Sequence, residues 1–203
     1  MIHRHFARQH PAATALGSDQ HRTAPAAARG FTAIELMVVV AIVAVLAALA
    51  APSFTPLIEG WRVHQAAEGL QSTFYYARSE AIKRGGGVVV QKLPNGTNGC
   101  VASGTADWNC GWIVCEDTNG NGSCGAAEPV LQRFDAPARI EVSRTSNGAS
   151  IPLNRWGLIA GTFIGFNLVP AGKGISDPSV RGVCISSGGR VRIIPSDQVP
   201  CTG

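Results

Sequence analysis

An ionisable side chain inside an unbroken apolar run is the first residue that calls for chemistry. Residues 31–51, FTAIELMVVVAIVAVLAALAA, carry a single charge, Glu35. A carboxylate in such a setting is costly unless it meets a cation, which makes it a functional candidate by default. Cleavage after Gly30 would create that cation, the new amine of Phe31, close to Glu35 and available to a neighbouring copy's Glu35. Near the other end of the chain, Arg190 and Arg192 flank Val191, just after Gly188-Gly189. A Gly-Gly pair between alternating runs predicts a two-residue hairpin. On the strand after it the two arginines share one face while Val191 and Ile193 take the other, with the guanidinium groups about 6.5–7 Å apart along the strand. That spacing is comparable with two steps of about 3.4 Å along one DNA strand. Guanidinium forks suit bidentate phosphate contact better than ammonium groups do. The competing reading is a pair of exposed arginines guarding an edge strand against sheet-to-sheet pairing. Lys173 and Arg181 join the arginine pair as helpers by sequence proximity and charge.

Two further groups have suggestive spacing. Asp117, Asn119, Asn121, Gly122 and Glu128 fit D-x-N-x-N-G-x5-E, the oxygen-ligand pattern of a calcium loop. Their flanks, GWIVCE and PVLQRF, read as strands rather than helices, so the segment is expected to be a turn, with calcium as the alternative. Six cysteines, Cys100, Cys110, Cys115, Cys124, Cys184 and Cys201, all follow residue 99. An even number confined to the part after an apolar segment reads as disulfides formed in an oxidising compartment. Spacing leaves the connectivity open; Cys184–Cys201 and local pairs among the other four are expected. Neither a short CxxC nor a nearby histidine supports zinc, and no metal or other cofactor is expected.

The elements that must position these groups follow from periodicity. The apolar run of 21 residues is long enough to cross a hydrocarbon layer as a helix. The arginines before it favour a cytoplasmic N-terminus and an exported remainder. An ordinary secretory signal ends in a small-residue cleavage site after its apolar run; here the junction Arg29-Gly30-Phe31 precedes it. Val63, Ala67, Leu70, Phe74, Ala77 and Ala81 then recur at helical spacing, one apolar stripe expected to pack on a sheet. Gly85-Gly86-Gly87 stops that helix. Strands are expected over 88–92, 111–116, 130–134, 139–144, 162–168, 182–186 and 190–194, with 94–105 a loop. Net charge is +4, and residues 129–203 alone hold eight basic and four acidic side chains, which hints at an anionic partner. Of five histidines, His3, His5, His10 and His21 precede residue 31, leaving His64 on the long helix. No phosphate loop or nucleophile motif is present, so no enzymatic activity is expected. Trp108, Trp112 and Trp156 are expected in the core or packed on turns rather than as a nucleotide-stacking platform.

Gly30-Phe31-Thr32-Ala33-Ile34-Glu35-Leu36 before an apolar run resembles the type IV prepilin motif GFTxxEL. Pro52 stands where pilins often carry a helix-kinking proline. Ala77-Arg78-Ser79-Glu80-Ala81-Ile82-Lys83-Arg84 resembles a signature of the FimT/GspH branch of pilin-like proteins, in which a D-x-N-x-N-G turn also serves as a hairpin connection. The resemblance implies an α+β, pilin-like fold: a long N-terminal helix, its first half transmembrane, packed on an antiparallel β-sandwich head. It divides the chain into a cleaved leader (1–30), a transmembrane and filament-core helix (31–52), an amphipathic continuation (53–86) and a disulfide-bearing head (87–203). The leader is longer than is usual in this class. The resemblance further implies a membrane peptidase that cuts after Gly30 and methylates Phe31, and assembly with other pilins through Glu35. The chain would sit in the bacterial inner membrane with its head in the periplasm, then in a filament at the cell surface. Gly189-Arg190-Val191-Arg192 resembles the GRxR motif of FimT proteins, which bind DNA in natural transformation, and that role carries over to Arg190 and Arg192 only. A GspH-like pseudopilin of type II secretion is the main alternative, and a purely structural minor pilin that primes assembly is another.

Overall fold

The computed structural model describes residues 30–50, 54–135, 137–161 and 163–202. The expected leader up to Arg29 and Pro52 lie outside the described residues. The chain divides into two units, residues 1–45 and 46–203.

Thr32 opens the first helix, α1 (Ala33–Ala50). The Glu35 N–H donates to Thr32 Oγ1 at 3.3 Å, so Glu35 stands third in the helix behind a threonine cap, the geometry of one half of a capping box. From Ile34 to Leu49, Glu35 is the one charged side chain, and all of these residues are exposed. A helix that is apolar all round and uncovered needs an apolar surrounding, protein or lipid. Its 18 residues rise about 27 Å, against a hydrocarbon layer of about 30 Å. Among the described residues, no helix is long and apolar enough to cross a membrane.

The second unit is organised by α2 (Thr55–Arg84). Pro56 stands in its first turn, where a missing N–H costs nothing. Gly85 closes it at φ 77°, a left-handed cap in which the Gly86 N–H donates to Ala81 O at 2.8 Å. Val63, Ala66, Ala67, Leu70, Thr73, Phe74, Ala77 and Ala81 are buried, the expected stripe widened by Ala66 and Thr73. Eight strands follow: β1 (Val88–Lys92), β2 (Gly111–Glu116), β3 (Val130–Asp135), β4 (Ile140–Arg144), β5 (Ser150–Leu153), β6 (Phe163–Pro170), β7 (Arg181–Ser186) and β8 (Val191–Pro195). They form two antiparallel sheets, ordered β3-β2-β1-β5 and β4-β6-β7-β8. The architecture is therefore α+β and pilin-like, as expected.

One core joins α2 to both sheets. Phe166 meets Trp108 edge-on at 5.0 Å and Phe74 at 6.1 Å between ring centroids. Trp112 stacks on Phe134 at 4.5 Å and donates its Nε1–H to Thr73 Oγ1 at 3.0 Å, so the buried polar atom is satisfied. Gly69 makes this approach possible: a Cβ there would lie 2.5 Å from the Phe134 ring. Three disulfides, Cys100–Cys110, Cys115–Cys124 and Cys184–Cys201, tie the sheets to their loops.

Most expected strands shift by one or two residues at an end, and two differences have a clear cause. β5 was not expected, because Pro152 interrupts its Ile151/Leu153 alternation; the strand lies at a sheet edge, where a residue without N–H is tolerated. Arg139 lies outside β4 because its backbone is left-handed, φ 59°. Every buried core side chain among the described residues lies between Val63 and Cys201, so residues 54–203 hold the whole of this core. Leu70→Ala in that head is expected to cost about 2–5 kcal/mol in chemical denaturation, while Leu57→Ala, at 69% exposure, stays within about 0.5 kcal/mol. Equal effects would show that the stripe is not what holds the head together.

Candidate functional site

The hairpin between β7 and β8 carries the arginine pair. Ile185 faces Val191 and Cys184 faces Arg192 across the ladder. Beyond them, the Gly189 N–H donates to Ser186 O at 2.9 Å, the Ser186 N–H to Arg190 O at 3.0 Å and the Arg190 N–H to Ser186 Oγ at 3.2 Å. The connection is thus Ser187-Gly188-Gly189, three residues rather than the two expected, because Gly189 takes the left-handed position (φ 77°) that ends such loops. Arg190 consequently stands one residue before β8, yet the alternation survives: Arg190 and Arg192 are exposed, Val191 is buried and Ile193 is half-buried.

The tip is braced from α2. Arg78 Nη1 donates to Gly189 O at 3.1 Å and to Gly188 O at 3.5 Å. A Cβ on Gly189 would lie 2.5 Å from Arg78 Nη1, and one on Gly157 would lie 2.4 Å from Arg78 Cγ. Arg78 therefore threads between two glycine turns and needs both of them bare. Six positions further along the chain, Arg84 pairs with Glu80 at 2.8 Å and with Glu116 on β2, clipping the end of the helix to the first sheet. The hydrogen bond from Arg84 holds the Glu80 carboxyl below the usual carboxylate range. The segment 77–84 is thus a clasp, and Arg78 is the positioning residue that sequence reasoning missed. Its signal was an arginine placed next to the buried alanines of the stripe.

Lys173 and Arg181 do not join the pair. Arg181 faces Leu168 and Pro195 at the far end of β7, about 17 Å of strand from Ser186. It shares a face of β7 with core-facing Val183 and Ile185, and its Nη1 donates to Pro178 O at 2.9 Å and Val180 O at 2.7 Å. Lys173 is exposed in the turn after β6. Arg192 borders a depression shared with Cys184, Asp197 and Gln198, and no ion pair links it to Asp197. Among the described residues, neither Arg190 nor Arg192 pairs with a carboxylate.

In the 117–128 turn the oxygens face backbone amides. Asp117 accepts from the Asn121 and Gly122 N–H groups, at 3.0 and 2.8 Å. Asn119 also accepts from Asn121 N–H (3.0 Å), and Asn121 accepts from Ser123 N–H (2.8 Å). Glu128, buried at 8% exposure, accepts from Gly125 and Thr118 N–H at 2.7 and 2.9 Å. The Gly125 amide, then those of Asn119 and Thr118, hold its carboxyl below the usual range against the opposing effect of burial. Among the described residues, no three His, Cys, Asp or Glu side chains converge on one point. Glu35 and Phe31 are both exposed. Trp108 and Trp112 are fully buried, but Trp156 departs from the expected packing and is 63% exposed.

A long helix laid across two antiparallel sheets, preceded by a bare apolar helix, is the architecture of a pilin-like subunit. The profile described as Type II transport protein GspH matches residues 66–189, and the chain belongs to that family. Arg190 and Arg192 fall just beyond the matched stretch. Among solved structures, the type IV minor pilin FimU of Pseudomonas aeruginosa in space group P21 is similar in fold at 24% identity and a TM-score of 0.53, over 69% of this chain and 93% of that one. A second crystal form, P65, gives 24% identity and a TM-score of 0.52 over 68% and 98%. A comparison with curated proteins finds no match. Family and fold together make this a minor pilin- or pseudopilin-like subunit of a pilin-type assembly.

Because Glu128 is more acidic when folded than when unfolded, its contribution is present above about pH 4.3, the unfolded value, and is lost as pH falls through the folded pKa. Glu128→Gln is expected to lower the melting temperature of the head at pH 7, with the gap to wild type closing below about pH 4. A gap independent of pH would mean that the carboxylate charge is not what the amides hold. Calcium and chelator are expected to leave the same melting curve unchanged.

Proposed function

We propose that this chain is a minor pilin of a type IV pilus whose exported head contacts DNA through Arg190 and Arg192 for uptake in natural transformation. The carrying observation is the pair of exposed guanidinium groups, free of carboxylate partners among the described residues, at alternate positions on a hairpin that Arg78 braces. The edge-guard reading has less to explain. At Val191 the edge of β8 is already covered, because its carbonyl accepts from Gln71 Nε2 at 3.2 Å and Tyr75 Oη at 3.3 Å. The basic excess of residues 129–203 favours an anionic partner. Binding through two phosphate contacts is weak for one head, tolerant of sequence and sensitive to salt.

The N-terminal part of the proposal rests on the bare apolar surface of α1 and on the junction before it. A prepilin peptidase cuts after Gly30 and the Phe31 amine is methylated. Residues 31–52 anchor the chain in the inner membrane, with the head in the periplasm, and then pack in the filament core at the cell surface. Glu35 pairs with a neighbouring subunit's amine. Glu35→Gln in the full chain is expected to leave cleavage intact and to reduce incorporation into filaments, measured in sheared fractions; equal incorporation removes Glu35 from assembly. A second reading, a pseudopilin of type II secretion whose head meets other pseudopilins or cargo, is favoured by the description of the matched family and by the match ending at Gly189.

The deciding experiment compares DNA binding by residues 54–203, disulfides intact, with that of Arg190→Gln/Arg192→Gln across a salt series. Wild type is expected to lose affinity with salt, and the double variant to bind at least about tenfold more weakly with its log–log salt slope reduced by about 2. No binding by wild type at low salt removes DNA from the proposal and leaves the pseudopilin reading.

A further inference from the structure

Trp156 lies on a turn closed by hydrogen bonds to Asn154. Asn154 Oδ1 accepts from the Trp156 and Leu158 N–H groups at 3.0 and 3.1 Å, the Gly157 N–H donates to Asn154 O at 2.8 Å, and the Asn154 N–H donates to Leu158 O at 2.9 Å. With the amides so used, the turn offers the solvent its side chains, Arg155 and a 63% exposed indole. Arg155 Cζ lies 5.5 Å from the Trp156 ring centroid, covering one face of the ring and leaving the other open.

This turn is not remote from the arginine hairpin. Arg78 lies against Gly157 on one side and Gly189 on the other, and a Cβ on Gly189 would also meet Leu158 Cδ2 at 3.3 Å. Arg78 therefore bridges two adjoining turns, one carrying Arg155 and Trp156 and the other leading into Arg190. No aspartate or glutamate occurs in residues 142–176 or in residues 178–196, so the two loops that carry Arg155 and Arg190 bring no negative charge of their own. Among the described residues, none of these three arginines forms an ion pair.

We propose that Trp156, backed by Arg155, forms with Arg190 a surface for single-stranded nucleic acid: an unpaired base stacks on the open indole face while the guanidinium groups take the neighbouring phosphates. The proposal rests on the reading of Arg190 and Arg192 as phosphate contacts. It adds a preference that phosphate contacts alone do not give, because a duplex hides its base faces and a single strand does not. An aromatic platform beside a cationic track is the general solution for sequence-tolerant single-strand binding, since every base has a π-face.

The test uses the full chain, disulfides intact, in a neutral detergent, with a labelled single-stranded oligonucleotide and the duplex of the same sequence. Trp156→Ala is expected to weaken single-strand binding about five- to a hundredfold, the range of one lost stacking contact, and to leave duplex binding within about twofold. Trp156→Phe recovers most of the loss. Since the indole is exposed, the melting temperature of both variants stays at the wild-type value. Arg190→Gln/Arg192→Gln weakens both nucleic acids. Trp156→Ala that changes neither affinity, or both equally, overturns the stacking surface even where the double arginine variant loses binding. Wild type that binds neither nucleic acid overturns the phosphate reading and the stack together. A Trp156→Ala defect in filament incorporation without a single-strand defect assigns the indole to a protein neighbour and also overturns the proposal.

Discussion

The apolar stripe of α2 is the constraint on which the rest of the head depends. Neither four-stranded sheet closes on itself, and each has two edges. What joins them is a shared debt of apolar surface to one helix: Phe74 and Leu70 meet Phe166 and its neighbours in the second sheet, while Thr73 and Gly69 receive Trp112 and Phe134 from the first. Burying side chains of this size is worth roughly 1.5–3 kcal/mol each, far more than any surface ion pair in the head contributes. The alanines of the stripe are as necessary as its large residues. Ala66, Ala67, Ala77 and Ala81 bring the helix close enough for its polar side chains to reach strand backbone beyond the core.

That closeness links fold to site. Gln71 and Tyr75 reach Val191 O, and Arg78 reaches the Gly189 carbonyl, so the hairpin bearing Arg190 and Arg192 is held along its length by one face of α2. On the other side of β7, the Cys184–Cys201 disulfide fastens the C-terminal tail next to Arg192. A hairpin fixed from both sides gives up less conformational freedom when it meets a ligand, and weak phosphate contacts gain most from such preorganisation.

The legible parts of this chain were those written in short-range pattern. The stripe of α2, its stop at Gly85 and seven of the eight strands depend on periods of 3.6 and 2 and on glycine, and all of these are local. β5 was hidden because Pro152 breaks the strand pattern, and its place at an edge is a fact of sheet order that no local window contains. The hairpin type was missed for a related reason: Gly188-Gly189 looks like a two-residue turn until the Ser186 hydroxyl claims the Arg190 N–H. Arg190 and Arg192 were legible as a pair on alternation alone. Their separation from Arg181 was not, since only the register of β7 with β8 shows that Arg181 and Arg190, nine residues apart, stand at opposite ends of the hairpin. Arg78 lay out of reach, because it matters through contacts between segments more than seventy residues apart.

The basic side chains of residues 129–203 can be sorted by what already occupies them. Arg133 is paired with Asp135 at 2.7 Å. Arg144 donates to Gly148 O and Ser150 O, and burial presses its guanidinium below the usual value, as befits a structural strut rather than a contact for a large anion. Arg181 is committed to two carbonyls near its own strand. Among the described residues, those without a protein oxygen to satisfy are Arg139, Arg155, Lys173, Arg190 and Arg192, and Arg139 and Lys173 flank β4 and β6 away from the hairpin tip. Net charge therefore overstates the binding surface. What remains is a small group, Arg155 on one turn and Arg190 and Arg192 on the neighbouring hairpin, with Arg78 as a wedge between the two. On the proposed reading, a site of that size gives a modest affinity per head, and capture of a long polyanion then depends on several heads or on additional contacts, because a second linked contact benefits from effective concentration that a lone head lacks. On the proposed reading, the uncovered apolar surface of α1 is the feature that would bring such heads together.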